Sequence, residues 1–124
     1  MFIEGVFLGG EEGGAATRDQ LEILLAPGER IAFATAGESG GALFTDRRLL
    51  VSSNAGLFTK RSVVHSIDRD EIGAFKIDVD GFTQLFIYGS SFGEARFFFD
   101  IDLDKIKLAR WLAQGSHIDA NTES

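Results

Sequence analysis

Cysteine is absent from this chain of 124 residues, so disulfides, thiol catalysis and thiolate metal sites are excluded. Histidine is scarce as well: His65 and His117 are the only two, and zinc sites and catalytic triads depend on imidazole groups. His65 falls within a predicted strand and His117 within a polar tail, so neither stands in a catalytic motif. We therefore expect no enzyme activity, no metal site and no cofactor.

Basic residues are outnumbered, with 12 Lys and Arg against 19 Asp and Glu and a net charge of −7. Nucleic acids and anionic lipid surfaces bind basic protein faces, so we expect neither nucleic acid nor membrane lipid as a partner. Long apolar runs are also missing, since no stretch approaches the roughly 20 residues that cross a bilayer. Residues 1–8 are a short apolar run without the basic start of a signal peptide. These absences predict a cytoplasmic protein.

Phenylalanine is the residue that the chain has in excess: there are 12, against one Trp and one Tyr. Phenyl rings add apolar area to a core and carry no polar group, and aromatic residues favour strands. Apolar residues make up 44% of the sequence, which is enough for one hydrophobic core at this length. The composition predicts a single strand-rich domain.

Seven strands are predicted, most clearly at residues 73–80, where Phe75, Ile77 and Val79 alternate with polar residues. Glycine-containing turns separate the β-rich stretches. The predicted strands are residues 29–36, 42–45, 47–53, 60–67, 73–80, 82–88 and 94–99. Short strands at such regular spacing indicate a sandwich or barrel.

Two helices flank the strands. A short helix is predicted at residues 17–25, with Thr17 and Gln20 forming a capping box. A terminal amphipathic helix is predicted at residues 102–114, with Asp102 as its cap. Its apolar face is expected to contain Ile106, Leu108, Ala109, Leu112 and Ala113, with Trp111 on the flank and Gly115 ending the helix. We expect this helix to cover an open end of the sheets.

The two ends of the chain differ in composition from its body. Residues 1–16 are predicted to be an apolar arm and a Gly/Glu-rich linker, residues 17–115 the folded domain, and residues 116–124 a polar tail. The arm is too apolar to stay in water, so we expect it to dock on its own domain or on a neighbouring copy. The apolar side chains of this arm are Phe2, Ile3, Val6, Phe7 and Leu8.

Three segments resemble a known family. Residues 44–50 (FTDRRLL) resemble the F-T-D-x-R-L-L strand of bacterial pleckstrin-homology-like domains. Residues 25–29 (LAPGE) are similar to the L-x-x-G-E opening of that family, and residues 60–67 to its basic strand that ends in S-I. The resemblance covers about residues 20–114, although Asp68 stands where the family has proline.

The resemblance implies a mainly β fold, namely a partly open seven-stranded barrel of two orthogonal antiparallel sheets, capped by a C-terminal helix and preceded by a short helix. It also implies homo-oligomers, including ring-like assemblies. It implies no particular ligand.

The residues of the FTDRR motif also have a local interpretation. Arg47 and Arg48 are adjacent in a strand, so their side chains point to opposite faces of the sheet. A guanidinium that points inward requires a carboxylate partner, and Asp46 is the nearest candidate in sequence. The motif is therefore expected to form a hydrogen-bonded corner, which is a structural role.

We expect a non-enzymatic scaffold that binds itself. Its expected interface contains the five apolar residues of the arm, together with Trp111. The alternative is a peptide-binding domain that uses β-augmentation or a groove between a strand and the terminal helix. Binding of a lipid headgroup is less favoured, because the loop at residues 37–41 contains Glu38 and no Lys or Arg.

Overall fold

The computed structural model describes residues 3–54 and 62–122, and the side chains of residues 3–53 and 63–114 within them. Short 3₁₀ turns precede and follow the first helix, and another lies at Arg69–Glu71. The helices are α1 (Gly14–Leu21) and α2 (Lys105–Thr122). The strands are β1 (Ile3–Phe7), β2 (Ile31–Ala36), β3 (Gly40–Thr45), β4 (Arg48–Asn54), β5 (Ser62–Asp68), β6 (Ala74–Asp78), β7 (Thr83–Gly89) and β8 (Gly93–Phe99).

The strands form two four-stranded sheets, in the orders β1-β8-β7-β6 and β2-β3-β4-β5. Each of the seven predicted strands is present, and the pairing is antiparallel except between β1 and β8. Two features differ from the expected barrel. An eighth strand is added at the N-terminus, and the two sheets do not close on one another.

The added strand β1 comes from the apolar arm and runs parallel to β8. Ile3 and Leu8 lie in the main core, and the backbone N–H of Leu8 donates to the carbonyl of Phe98 at 2.7 Å. Gly5 has a φ of +100° at a shift in the pairing register, where a side chain would meet the ring of Phe98. In this structure the arm docks on its own domain, and Phe2 lies outside the described residues.

The glycine-rich segment after β1 is packed tightly against β2, whereas its composition was interpreted as a linker. Gly10 and Ala36 exchange two backbone hydrogen bonds, of 3.0 and 3.2 Å. A methyl group added to Gly9 would collide with the carbonyl oxygen of Ala36, and one added to Gly14 with that of Ala34. Glycine at these positions therefore lets two backbones approach closely.

Helix α1 covers the outer side of the sheet that contains β2 and β3. Leu21 packs there with Ala34, Leu43 and Leu50 in a small second core. The helix begins at Gly14, three residues before the predicted cap. Thr17 has a different role, because its buried hydroxyl donates to the carbonyl of Thr35 at 2.7 Å.

The main core lies between the two sheets and is closed at one end by α2. The rings of Phe33 and Phe44 stack there, with centroids 4.2 Å apart. Among the helix side chains that are described, those of residues 105–114, Leu108, Trp111 and Leu112 are buried, with the spacing of one helical face. The predicted apolar face was partly wrong. Its first member, Ile106, is 65% exposed, whereas Trp111, expected on the flank, is 3% exposed.

The two ends of α2 also differ from the prediction. The carboxylate of Asp104 accepts the backbone N–H groups of Ile106 and Lys107, so Asp104 is the N-cap in place of Asp102. At the other end the helix continues through Gly115 as far as Thr122. A single glycine costs a helix only about 1 kcal/mol, which does not force it to end.

A polar corner joins β3 to β4 at the FTDRR motif. The Arg48 guanidinium binds both carboxylate oxygens of Glu29, at 3.0 and 3.1 Å. The Thr45 hydroxyl donates to the same carboxylate at 2.6 Å, and the Glu29 side chain is fully buried. The carboxylate partner of the inward arginine is therefore Glu29, whereas Asp46 was expected. Asp46 instead accepts the backbone N–H of Arg30 at 3.0 Å.

The same corner holds helix α2 in place. The indole N–H of Trp111 donates to the carbonyl of Thr45 at 2.6 Å. The guanidinium of Arg69 lies 4.6 Å from the centre of the Trp111 ring and donates to the Trp111 carbonyl at 2.6 and 3.1 Å. Arg69 also donates to the carbonyl of Asp46 at 3.0 Å. Hydrogen bonds from both sides thus fix the position of the helix against the corner.

The environment of Glu29 favours its ionised form. Burial by itself raises the pKa of this carboxyl. The hydrogen bonds from Arg48, Thr45 and the backbone of Ala26, together with the charge of Arg48, outweigh burial and lower the pKa from 4.5 to about 2. Between these values the folded chain binds fewer protons than the unfolded chain, so its stability rises with pH across this window.

We predict that Glu29→Gln lowers the free energy of unfolding by about 3 kcal/mol at neutral pH, because it leaves the Arg48 guanidinium without its counter-ion. The wild type should also lose stability as the pH falls from 4.5 towards 2, and the variant should lack this part of the pH dependence. Chemical denaturation at a series of pH values measures both effects. Glu22→Gln, at an exposed position, is the control, and equal stability of the two variants would contradict the prediction.

Candidate functional site

An open groove runs between strand β2 and helix α2 and encloses about 340 Å³. Ile31 and Phe33 line it from the strand, and Ile106 and Trp111 line it from the helix. This space exists because the hydrogen bond of Trp111 holds α2 against the β3–β4 corner. Ile106, five residues earlier on the helix, is 65% exposed. The groove is therefore an apolar cleft with one strand wall and one helix wall.

The strand wall is an edge of its sheet. Within the described residues no strand pairs with the outer side of β2, but Gly10 bridges it at Ala36 and Gly14 packs against the carbonyl of Ala34, so the part of this edge left open to the groove is Ile31–Phe33. The pairing of β2 with β3 shifts between Ile31 and Phe33, which leaves Ala32 exposed in the groove. An unpaired edge offers backbone N–H and C=O groups to an added strand.

The helix wall presents a single row of side chains. Ile106, Arg110 and Gln114 line the groove at intervals of four residues, so they lie on one side of α2. Lys107 completes this wall, and its ammonium binds the carboxylate of Glu11 at 2.6 Å. The row combines an exposed apolar side chain with cationic and amide groups.

The charge of the groove is opposite to that of the chain. Its cationic side chains are Arg30, Arg69, Lys107 and Arg110, and its acidic side chains are Asp46 and Asp104. One oxygen of each carboxylate accepts backbone N–H groups, from Arg30 at Asp46 and from Ile106 and Lys107 at Asp104, and the cations outnumber the carboxylates by four to two. A chain with a net charge of −7 therefore places a locally basic surface in this cleft.

The four cations are not equally available. Arg69 is buried against Trp111, and burial lowers its pKa, while Asp46 and Asp70 act in the opposite direction. Lys107 is paired with Glu11. In residues 3–53 and 63–114, no ion-pair partner is found for Arg30 or Arg110, and both residues are exposed. These two guanidinium groups are the donors that a ligand can reach.

Of the described residues predicted to form an interface, Trp111 lines the groove and those of the arm lie elsewhere. Ile3, Leu8 and Trp111 are buried within the chain, and Val6 and Phe7 are half-buried. Val6 and Phe7 line a second, shallower concavity of about 530 Å³ on the side of β1, together with Phe82 and Phe98. The role of the arm residues in an interface stays a prediction, and the prediction did not include the groove residues Arg30, Ile106 and Arg110.

Two loops fit the Gly-x-Ser-x-Gly spacing of hydrolase nucleophiles. Residues 37–41 contain Ser39 and residues 89–93 contain Ser91. Each loop joins two antiparallel strands, whereas the nucleophile elbow joins a strand to a helix. The spacing here belongs to hairpin turns, where glycine is common for conformational reasons.

Within residues 3–54 and 62–122, no helix is both long and apolar enough to cross a lipid bilayer. In the same part of the chain, no three His, Asp or Glu side chains come together as a metal site would require.

Comparison with models of protein families finds no match, and no curated protein matches the chain. Solved structures do match. The chain is similar to a DUF1696 family protein with a pleckstrin-homology domain from Shewanella loihica PV-4, with a TM-score of 0.73 and 19% identity, over 86% of this chain and 96% of that one. It is also similar to a pleckstrin homology domain from Shewanella amazonensis SB2B, with a TM-score of 0.67 and 19% identity, over 86% of this chain and 90% of that one.

Both neighbours are matched over nearly their whole length, and the match covers most of this chain. The chain therefore has the fold of a bacterial pleckstrin-homology-like domain.

Proposed function

We propose that this domain is a protein-interaction module that works without catalysis, and that an extended segment of a partner protein binds in the groove between β2 and α2. The observation that supports this proposal is the unpaired edge of β2 beside the exposed Ile106 of the helix. The strand edge can hydrogen-bond to a peptide backbone, and the helix wall can contact its side chains.

The size and composition of the groove fit this use. Its volume of about 340 Å³ lies within the range of roughly 300–1,000 Å³ that is common for ligand sites. Ile31 and Ile106 give apolar contact, and Ala32, in the register shift, leaves room beside the strand. No nucleophile with a base beside it lines the groove in the described structure.

The first test is selection from a library of random peptides displayed on phage, with the full chain as bait. We expect enriched peptides to shift the amide NMR signals of β2 and of the first turns of α2. Ala32→Phe fills the groove from an exposed position and should weaken these peptides by about tenfold or more, or roughly 1.4 kcal/mol. Ala16→Phe, at an exposed position on α1 outside the groove, should bind like the wild type. Failure to enrich any peptide, or equal binding by both variants, would contradict the proposal.

Self-association is a second candidate, and the edge strand β6 favours it. This strand ends its sheet and is mostly exposed, and its Phe75 is 41% exposed although it pairs with the buried Ile87. Val79, directly after the strand, is 52% exposed. A second copy that pairs along β6 would cover both side chains and continue the sheet.

Light scattering on the purified chain tests self-association. We expect a mass above the 13.5 kDa of one chain at micromolar concentration, and we expect Phe75→Lys to return the protein to the monomer. Ile23→Lys places the same charge at a position that is 86% exposed and away from β6, so it should keep the assembly. Circular dichroism of both variants verifies that they fold. A wild type of 13.5 kDa would contradict this candidate.

A lipid headgroup is the ligand that the observed geometry supports least. The hairpin loop between β2 and β3 contains Glu38 and no Lys or Arg. Recognition of phosphate groups depends on several such cations in one place. The cations of the groove do not supply this cluster, because two of the four are already engaged within the chain.

A further inference from the structure

We infer that the β2–α2 groove selects an acidic segment, in which side-chain carboxylates lie on either side of an apolar residue and are bound by Arg30 and Arg110. This inference rests on the proposed docking of a peptide in the groove and specifies the partner's chemistry. The charges that support this inference belong to the groove and differ in sign from the net charge of the chain. Arg30 belongs to the strand wall and Arg110 to the helix wall, so the two guanidinium groups lie on opposite sides of the cleft.

We expect Arg30 and Arg110 to select carboxylates because neither has an ion-pair partner among the described residues. A guanidinium has five N–H donors and accepts nothing, so it favours carboxylates over amides and hydroxyls. Elsewhere in the described structure, Arg48 is bound by Glu29, and Arg69 by backbone carbonyls. Among residues 3–53 and 63–114, Arg30 and Arg110 have neither kind of partner, although the chain has an excess of acidic residues.

The acidic residues of the groove do not compensate these two cations. The carboxylate of Asp46 accepts the backbone N–H of Arg30, and Asp104 caps α2. The Oδ1 atom of each is bound by backbone N–H groups, so both carboxylates are held in fixed positions. The groove therefore has four cationic side chains against two acidic ones, and this excess favours an acidic segment over a basic one.

The apolar part of the selectivity follows from the space between the arginines. Ile106 is 65% exposed, and with Ile31 and Ala32 it gives an uncharged surface in the same groove as Arg30 and Arg110. In an extended segment every second side chain lies on the same side, so acidic, apolar and acidic residues at positions i, i+2 and i+4 can face the arginines and this surface together. The preferred segment therefore combines acidic and apolar residues.

The test compares two synthetic peptides, both acetylated and amidated so that no terminal charge contributes. One has glutamate, valine and glutamate at every second position with serine between them, and the other has glutamine in place of each glutamate. We expect the glutamate peptide to bind the full wild-type chain about five- to tenfold more tightly at low salt, because two exposed charge pairs form. The difference should shrink as salt is added.

Variants assign this preference to the groove. The double substitution Arg30→Gln with Arg110→Gln should remove the preference and leave the fold intact, because neither side chain has an ion-pair partner within the described residues. Arg47→Gln, at an exposed position outside the groove, is the matched control and should keep the preference.

The outcomes separate this inference from the proposed function. If both peptides bind equally and Ala32→Phe weakens both, the groove is a docking site and its acidic selectivity is wrong. If Arg47→Gln loses the preference as fully as the double variant, the preference is a property of net charge, and the inference is overturned. It is also overturned if neither peptide binds, whereas the library selection then decides the proposed function by itself.

Discussion

The contact between helix α2 and the β3–β4 corner is the constraint on which the rest of the structure depends. The Trp111 indole donates to the Thr45 carbonyl, and Arg69 donates to the Trp111 carbonyl from the other side. Thr45 in turn binds the Glu29 carboxylate that holds Arg48. One chain of charged and neutral hydrogen bonds thus joins the motif, the strand that precedes it and the helix. Because each group in it is buried or half-buried, the loss of one partner leaves another unsatisfied.

The contact between α2 and the β3–β4 corner also determines where a ligand can bind on the domain surface. It fixes α2 at Trp111, so the first turns of the helix stand beside β2 and leave a groove with an unpaired strand edge. The polar groups of the corner satisfy one another and are not available to a ligand. The cations beside them, Arg30 and Arg110, are exposed and have no ion-pair partner in the described structure. The stabilising network and the proposed binding surface therefore adjoin and share Trp111 and Arg69, whereas Arg30 and Arg110 belong to the surface alone.

The sequence predicts the architecture well, because strand alternation and the seven-residue motif at residues 44–50 are local signals. It fails where a choice depends on distant residues. Glu29 and Asp46 were both possible partners for Arg48, and proximity in sequence favoured the wrong one. A helical stripe through Ile106 and one through Trp111 fit the same periodicity, and only packing on the corner selects the second. Arg30 and Arg110 are 80 positions apart in the numbering, so no pattern could place them in one groove. Asp68, which stands where the resemblance to the family predicts proline, has a φ of −64°, so the backbone keeps the conformation that proline would impose.

We expect the Trp111 indole to stay hydrogen-bonded to the Thr45 carbonyl whenever the domain is folded. As the chain has one Trp, its indole N–H gives a single, assignable NMR signal whose hydrogen exchange can be followed alone. If the hydrogen bond to Thr45 holds α2 in place, this proton should exchange with deuterium only through global unfolding, with a free energy equal to that from chemical denaturation. Exchange at the rate of a solvent-exposed indole, while the amides of β3 and β4 stay protected, would show that α2 leaves the corner in the folded state and would contradict the account.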